Sequence, residues 1–397
     1  MELQSGRRLG RMTAPSKGAG RIFGLDLMRA FAVLLVLVGH GSAHHQPPEW
    51  FGGFWRAQGT LGVEVFYVLS GYLIGGILWR LAKKGQLHTL GGVWKFWCRR
   101  WARTLPLYVF FVLVYLRFDY LGVAKVEVAY PYAFFMQNFA WSPLPFFTHA
   151  WSLAVEEWFY FLFPLLCLLL LAAGFGARRG LLLACGVFVV LPLAMKMFLA
   201  MDIRDYRTFD DQLRMVVLAR LDAIAFGVLV ALLKAEWPPV FECLRRFGMW
   251  LVPALVIVMV YLAHGAPGLI GHYWAMVLFL PLVSVLLALV LPAVESIRTL
   301  GWRPLDSFVR YTSLVSYSLY LGHICMLTLT NAALDMAGVR VAGPWQTMAV
   351  YLAYAGAFYG FATLTYFYVE KPFLDLRPPE ADAASGALQP PSAPFLR

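Results

Sequence analysis

The sequence predicts an all-α protein, a polytopic integral membrane bundle of about 10 transmembrane helices. Hydrophobic residues make up 60% of the 397 residues and charged residues only 14%, whereas charged residues reach about a quarter of soluble domains. Apolar runs of about 20 residues recur along the chain, which is the length of a helix that crosses a bilayer. Lys and Arg lie between these runs, where the positive-inside rule places them. The net charge of +11 therefore does not indicate a nucleic acid partner.

Ten apolar segments are candidate spans. The third is short, and it extends either back through Trp101 or forward past Arg117. A further stretch from Tyr130 to Trp141 has about a dozen residues, which suits a re-entrant or interfacial segment better than a span. The ten segments lie near 23–41, 61–79, 104–116, 150–172, 181–200, 213–233, 248–263, 272–291, 312–333 and 346–369.

The distribution of Lys and Arg tests this count. With ten spans and a cytoplasmic N-terminus, 23 of these residues fall in cytoplasmic segments and 6 in outward-facing ones. An additional span at 130–141 would move the later basic segments outward and weaken the asymmetry. The positive-inside rule thus favours ten spans, with both termini in the cytoplasm.

The chain divides into a basic cytoplasmic tail at 1–22, a membrane domain at 23–376 and a tail at 377–397. The last is rich in Pro, Ala and Ser and is expected to be disordered and cytoplasmic. The first apolar run is long for a cleaved signal peptide and carries Asp26 and Arg29 at its start, so we expect it to remain as a helix. Neither a disulfide framework nor a metal site is expected, because no close pair occurs among Cys98, Cys167, Cys185, Cys243 and Cys325.

The first helix carries two ionisable residues on one face. Arg29 and His40 are eleven positions apart, which is close to three helical turns and about 16 Å along the axis. The pair has two equally plausible explanations. The two residues could serve a common function, or Arg29 could simply reach toward a headgroup while His40 lies at the far water boundary.

Charges within a bilayer are costly and are usually retained for function. The alternative is a network of ion pairs that only orients helices, and we expect it for Arg220 with Asp222. The candidate charges are Asp26, Arg29, His40, Glu64, Glu156, Glu157, Arg214, Arg220, Asp222, His323 and Glu370.

Several of these residues lie in motifs that occur in the same order in a known family. The motifs are LDLMR at 25–29 followed by His40, GVEVFYVLSGYLI at 62–74, RWAR at 100–103 before Pro106, WSLAVEEWFY at 151–160, SYSLYLGH at 316–323 and EKP at 370–372. Together they resemble the membrane acyltransferase-3 family, in which an Arg and a His are also separated by ten residues in the first helix. The resemblance extends from about residue 23 to 376.

The resemblance implies an inner-membrane enzyme that transfers an acyl group, usually acetyl, from cytoplasmic acetyl-CoA. The acceptor would be a hydroxyl of a cell-envelope or secreted carbohydrate, or of a lipid-linked glycan. A homo-oligomer or a separate acceptor-delivering protein are both open as further partners. The rival hypotheses are a transporter that moves a glycan or acyl group without covalent chemistry, and a non-enzymatic scaffold. No phosphate-binding glycine loop occurs, so nucleotide-driven transport is not expected.

Within this hypothesis, guanidinium groups of Arg29, Arg100 and Arg103 hold the CoA phosphates. His40 is the candidate general base or the site of a covalent acyl intermediate. Glu156 either orients His40 or pairs with an arginine.

The residues that we expect to line the path or contact the acceptor are Asp26, Glu64, Ser70, Trp151, Ser152, Tyr320 and His323. Simpler roles remain open for three of them: a small helix contact for Ser70, an interfacial anchor for Trp151, and aromatic packing for Tyr320.

Overall fold

The computed structural model describes residues 21–41, 49–120, 129–264, 266, 268–339 and 343–376. The tails predicted at 1–22 and 377–397 lie outside this part of the chain, apart from Arg21 and Ile22. In the described ranges the chain forms helices and turns and no strand, which confirms the all-α prediction.

Thirteen α-helices of five or more residues occur in the described ranges. They are α1 Phe23–Gly41, α2 Glu49–Lys83, α3 Leu90–Tyr120, α4 Trp151–Ala172, α5 Ala177–Leu199, α6 Leu221–Glu236, α7 Pro238–Phe247, α8 Val252–Ala263, α9 Tyr273–Glu295, α10 Arg303–Leu314, α11 Ser316–Met336, α12 Pro344–Thr365 and α13 Lys371–Asp375.

The number of spans agrees approximately with the prediction. Across the described ranges, eight helices are long and apolar enough to cross a membrane, and α10 with α11 forms a ninth candidate across a bend of 75°. The sixth predicted span corresponds to α6, which has only 16 residues but is largely buried among its neighbours. Lengths and composition therefore support an integral membrane bundle.

Two predicted boundaries differ from the structure. The third span is longer than 104–116, because α3 continues in both directions and passes through Pro106. The sixth does not begin at 213, since residues 210–219 form a π turn and a 3-10 turn before α6. There the backbone N–H groups of Val217 and Leu218 donate to carbonyl oxygens of residues 138 and 139 and do not continue a helix.

The bundle has two ends, which we name after α1. The Arg29 side holds the start of α1 and the ends of α2 and α6, where Lys83 lies 3.7 Å from Glu236. The His40 side holds the end of α1 and the segment 129–150. Within that segment Tyr130–Ala133 forms a single helical turn followed by further turns, so it does not span the bundle. The Tyr132 hydroxyl donates to the Leu144 carbonyl at 2.7 Å and closes the segment on itself.

Helices α2 and α6 pack most extensively. Their backbones approach so closely at Gly71 and Gly227 that a Cβ atom on Gly71 would overlap the carbonyl oxygen of Ile224. Beside this contact lies a fully buried cluster of two ion pairs. Small residues at the helix interface thus let charged side chains meet within the bundle.

Candidate functional site

The three arginines predicted to hold the donor converge on the Arg29 side. Arg29 lies on α1, whereas Arg100 and Arg103 lie one turn apart on α3, yet both are close enough to Arg29 to interact with it electrostatically. All three are half-buried. Such a group of guanidinium forks is suited to bind phosphate oxygens.

Asp26 anchors the arginine cluster to α10. Its carboxylate accepts hydrogen bonds from Arg21 at 2.7 Å and from the Ser313 hydroxyl at 2.7 Å. Arg29 lies 3.9 Å from the same carboxylate, at the outer limit of an ion pair. The contacts of Asp26 favour a role in holding Arg29 in place, and its predicted path-lining role stays a prediction.

Glu156 of α4 lies close to the arginine cluster. Its carboxylate lies within reach of the Ser70 and Tyr160 hydroxyls and interacts electrostatically with Arg100 and Arg103. The hydroxyls of Ser70 and Tyr160 are themselves hydrogen-bonded, which ties α2 to α4. These contacts match the second of the two predicted roles of Glu156, a partner for arginines. Orientation of His40 by Glu156 stays a prediction.

Three histidines meet on the His40 side. The rings of His40 and His323 have centroids 4.9 Å apart, and those of His323 and His149 are 5.2 Å apart. His40 is half-buried, whereas His323 is 1% exposed. Among the described residues no group of three or more His, Cys, Asp or Glu has an arrangement that could hold a metal ion.

Tyr320 and Ser152 lie beside the histidines. The Tyr320 hydroxyl donates to the carbonyl of His149 at 2.8 Å, so the Ser152 hydroxyl is the donor in the 2.5 Å bond between the two side chains. Tyr320 also interacts electrostatically with Glu156 and with Arg214. The predicted residues thus fall into two groups, Ser70 and Glu156 near the arginines and Ser152, Tyr320, His323 and His40 on the other side. The electrostatic interaction of Tyr320 with Glu156 relates the two groups, and we call them together the polar connection.

Arg214 brings a positive charge to the His40 side. It ends the π turn before α6, pairs with Asp210 through two hydrogen bonds, and lies over the Trp151 ring at 4.9 Å. Burial opposes its charge, but the Asp210 carboxylate outweighs that effect and holds the pKa of Arg214 above its usual value. Its guanidinium is near enough to His40 for an electrostatic interaction.

Glu64 belongs to the buried ion-pair cluster between α2, α6 and α9. Its carboxylate pairs with Arg220 and accepts a hydrogen bond from the Ser284 hydroxyl at 2.7 Å. The second pair joins Lys196 to Asp222 at 2.5 Å. The hydrogen-bonded partner of Arg220 is thus Glu64 and not Asp222 as expected, because Asp222 is bound by Lys196 from α5.

Sequence reasoning gave four contributors to these clusters no role in the site, although Arg214 was among the candidate charges. His149 and Arg214 were visible as ionisable residues at a span boundary, and Tyr160 lies in the same motif as Glu156. Lys196 carried the clearest unused signal, a lysine near the end of an apolar run. Which partner each of them would meet depends on helix packing that no local pattern encodes.

Comparisons with known proteins agree with the family motifs. The family described as Acyltransferase domain matches residues 22–367. The O-acetyltransferase OatA of Staphylococcus aureus strain NCTC 8325 is 33% identical over 189 residues, which are 43% of this chain and 28% of OatA. OatA of strain COL matches to the same extent. A second protein of strain COL, named as the O-acetyltransferase SACOL0978, is 29% identical over 236 residues, which are 54% of this chain and 35% of that protein.

The matched region spans about a third or less of the length of these curated relatives. No solved structure matches the chain. The family match covers most of the sequence, including both ends of the polar connection. The chain therefore belongs to the acyltransferase-3 family.

Proposed function

We propose that this protein is a membrane O-acetyltransferase that transfers an acetyl group from acetyl-CoA to a hydroxyl of a cell-envelope or secreted carbohydrate. One observation carries the proposal: an arginine cluster and a histidine cluster lie at opposite sides of the bundle, and Glu156 interacts electrostatically both with the arginines and with Tyr320 beside the histidines. The first suits a phosphate-bearing donor and the second suits removal of a hydroxyl proton. The names of the OatA relatives support the same reaction.

The donor enters on the Arg29 side in this proposal. Arg29, Arg100 and Arg103 bind the phosphates of CoA, and the pantetheine arm extends along Ser70 and Glu156. The rise of α1 between Arg29 and His40 is about 16 Å, which is of the order of an extended pantetheine arm. The thioester would then lie nearer His40 than Arg29.

His40 acts as the general base at the other end. It accepts the proton of the acceptor hydroxyl while the hydroxyl oxygen bonds to the thioester carbonyl carbon and the carbon–sulfur bond breaks. The proton then passes from His40 to the leaving thiolate, so that an ester and free CoA thiol are formed and no proton is gained or lost. The positive charge of Arg214 lies close enough to favour the negative charge that develops on the carbonyl oxygen.

The excess of Lys and Arg in alternate connecting segments supports an orientation in which the Arg29 side of the bundle faces the cytoplasm. With the Arg29 side in the cytoplasm, 23 of these residues face the cytoplasm and 6 face outward. Cytoplasmic acetyl-CoA then meets the arginine cluster, and an outward-facing carbohydrate meets His40. In a bacterium this membrane is the inner, or plasma, membrane.

Analysis of surface carbohydrates from a deletion strain tests the proposal. The strain is complemented with wild type, His40→Ala or the control His264→Ala. His264 also bonds the carbonyl four residues before it, at 2.8 Å, but is exposed at the end of α8. We expect O-acetyl groups with wild type and the control and none with His40→Ala. Identical acetylation in the deletion strain and in all three complemented strains would refute the enzyme and leave a transporter or scaffold.

A further inference from the structure

His40 shares a single ring nitrogen between two neighbours. Its Nδ1 lies 3.0 Å from the carbonyl oxygen of Val36 and 3.3 Å from Nε2 of His323. Val36 is one turn earlier on α1, whereas His323 lies on α11. The two contacts together constrain where the proton of the neutral His40 ring resides.

The carbonyl oxygen can only accept a hydrogen bond, so Nδ1 of His40 carries a proton. Nε2 of His323 then faces an N–H group and must be an acceptor. The other nitrogen of His323 agrees, because its Nδ1 lies 2.7 Å from the carbonyl of Tyr320 and must therefore be the protonated one. Nδ1 thus carries the hydrogen in both rings, and the neutral form of His40 keeps an unprotonated Nε2.

We propose that His323 is a positioning residue that acts with the Val36 carbonyl to hold the His40 proton on Nδ1 and so keeps Nε2 available as the base. The inference rests on the proposed acyl transfer, and it assigns His323 a role that is separate from contact with the donor or acceptor. A histidine whose proton moved to Nε2 would present a donor to the incoming hydroxyl and could not remove its proton.

The surroundings of His323 hold its ring in this orientation. Tyr320, one turn earlier on α11, holds this part of the helix in place, because its hydroxyl is hydrogen-bonded to the His149 carbonyl and to the Ser152 side chain. The His149 ring packs edge-on against His323, and its own Nε2 lies 3.2 Å from the carbonyl of Leu321. Phe358 of α12 closes the remaining face at 6.4 Å between ring centroids. A ring that is 1% exposed and contacted from several sides has little freedom to rotate.

A pair of substitutions separates the hydrogen bond from the packing. His323→Gln places a carbonyl oxygen near the position of Nε2 and can still accept from His40. His323→Asn keeps an N–H group near the position of Nδ1 for the Tyr320 carbonyl but supplies no acceptor at Nε2. Turnover is measured in membrane vesicles from the producing strain, which carry their own acceptor, with radiolabelled acetyl-CoA as the donor.

We expect His323→Asn to lower kcat roughly 10- to 100-fold, part of the 10²–10⁴-fold that a positioned base contributes. The KM for acetyl-CoA should stay unchanged, since His323 lies away from the arginine cluster. His323→Gln should restore kcat to within about threefold of wild type, because one acceptor of the hydrogen bond is regained. A kcat equal to wild type with Asn, or no recovery with Gln, would overturn the inference.

His40→Ala distinguishes this failure from failure of the proposed function. If His40→Ala is inactive while His323→Asn is fully active, acyl transfer by His40 stands and the positioning role falls. If His40→Ala retains full turnover, the proposed function itself falls. Folding is followed by elution as a single species in detergent. Should the Asn variant not fold, His323→Leu replaces it, and if that also fails then kcat of the Gln variant alone decides between the outcomes.

Discussion

The buried pair of Glu64 and Arg220 gives the sharpest prediction about stability. Glu64 is 1% exposed and Arg220 is 0% exposed, and both lie beside a second pair, Lys196 with Asp222. The four charges cancel as the structure stands. Glu64→Ala leaves one buried positive charge without its partner, and we expect a loss of about 3–5 kcal/mol in the free energy of unfolding.

The other contacts of Glu64 and Arg220 allow this loss of unfolding free energy to be compared with that of milder substitutions. Nε and Nη1 of Arg220 have no hydrogen-bond partner within the described residues, so the guanidinium depends strongly on Glu64. Ser284→Ala removes only one hydrogen bond to the carboxylate, at 2.7 Å, and should cost about 1.5–3 kcal/mol. The double variant Glu64→Met with Arg220→Met replaces both charges by apolar side chains, which is often close to neutral.

Midpoints of thermal unfolding in one detergent measure the order of these effects. We expect Glu64→Ala to unfold at the lowest temperature, Ser284→Ala above it, and the double variant near wild type. A double variant no more stable than Glu64→Ala would refute the explanation through an unpaired charge. Acetyl transfer by a stable double variant would assign Glu64 to structure, whereas complete loss would support its predicted place on the path.

Three further predictions concern packing and the donor. Gly71→Ala should prevent stable folding, because its Cβ would overlap the carbonyl of Ile224. The control Gly76→Ala should fold, because the nearest atom that its Cβ would meet is the flexible side-chain Nη1 of Arg80 at 3.7 Å. Detergent elution profiles measure both. Arg103→Ala should raise the KM for acetyl-CoA roughly 10- to 100-fold at similar kcat, because a charged hydrogen bond of about 1.5–3 kcal/mol is lost equally before and during reaction. Initial rates at several acetyl-CoA concentrations check this. Glu156→Gln should alter that KM and leave kcat within about threefold, whereas a large fall in kcat would favour orientation of His40.

The sequence was informative wherever a pattern is local to one helix. The separation of Arg29 and His40 placed both on one face of α1, and the apolar runs located most of the spans, although α3 begins 14 residues before the predicted third span. It could not identify partners that are distant along the chain. His40 and His323 are 283 positions apart and Arg220 and Glu64 are 156 apart, so their pairing depends on how the whole bundle closes.

The course of α2 shows how structural and functional parts are connected. Glu64 and Gly71 are seven positions apart, about 20° short of two turns, so they share one face of α2. Arg220 and Gly227 have the same spacing at the start of α6, and the two helices run in the same direction. Gly71 and Gly227 let the two helices touch. The ion pair of Glu64 with Arg220, seven residues earlier on each side, opposes a shift of one helix along the other.

Ser70 lies about 120° around α2 from Glu64, by the same rotation of about 100° per residue. It therefore faces away from α6 and meets Tyr160 of α4 on the polar connection. A shift of α2 by one residue would turn Ser70 away from Tyr160 and Glu64 away from Arg220 together. The buried charges outside the path thus contribute to transfer indirectly, because they fix the rotation of the helix that lines it.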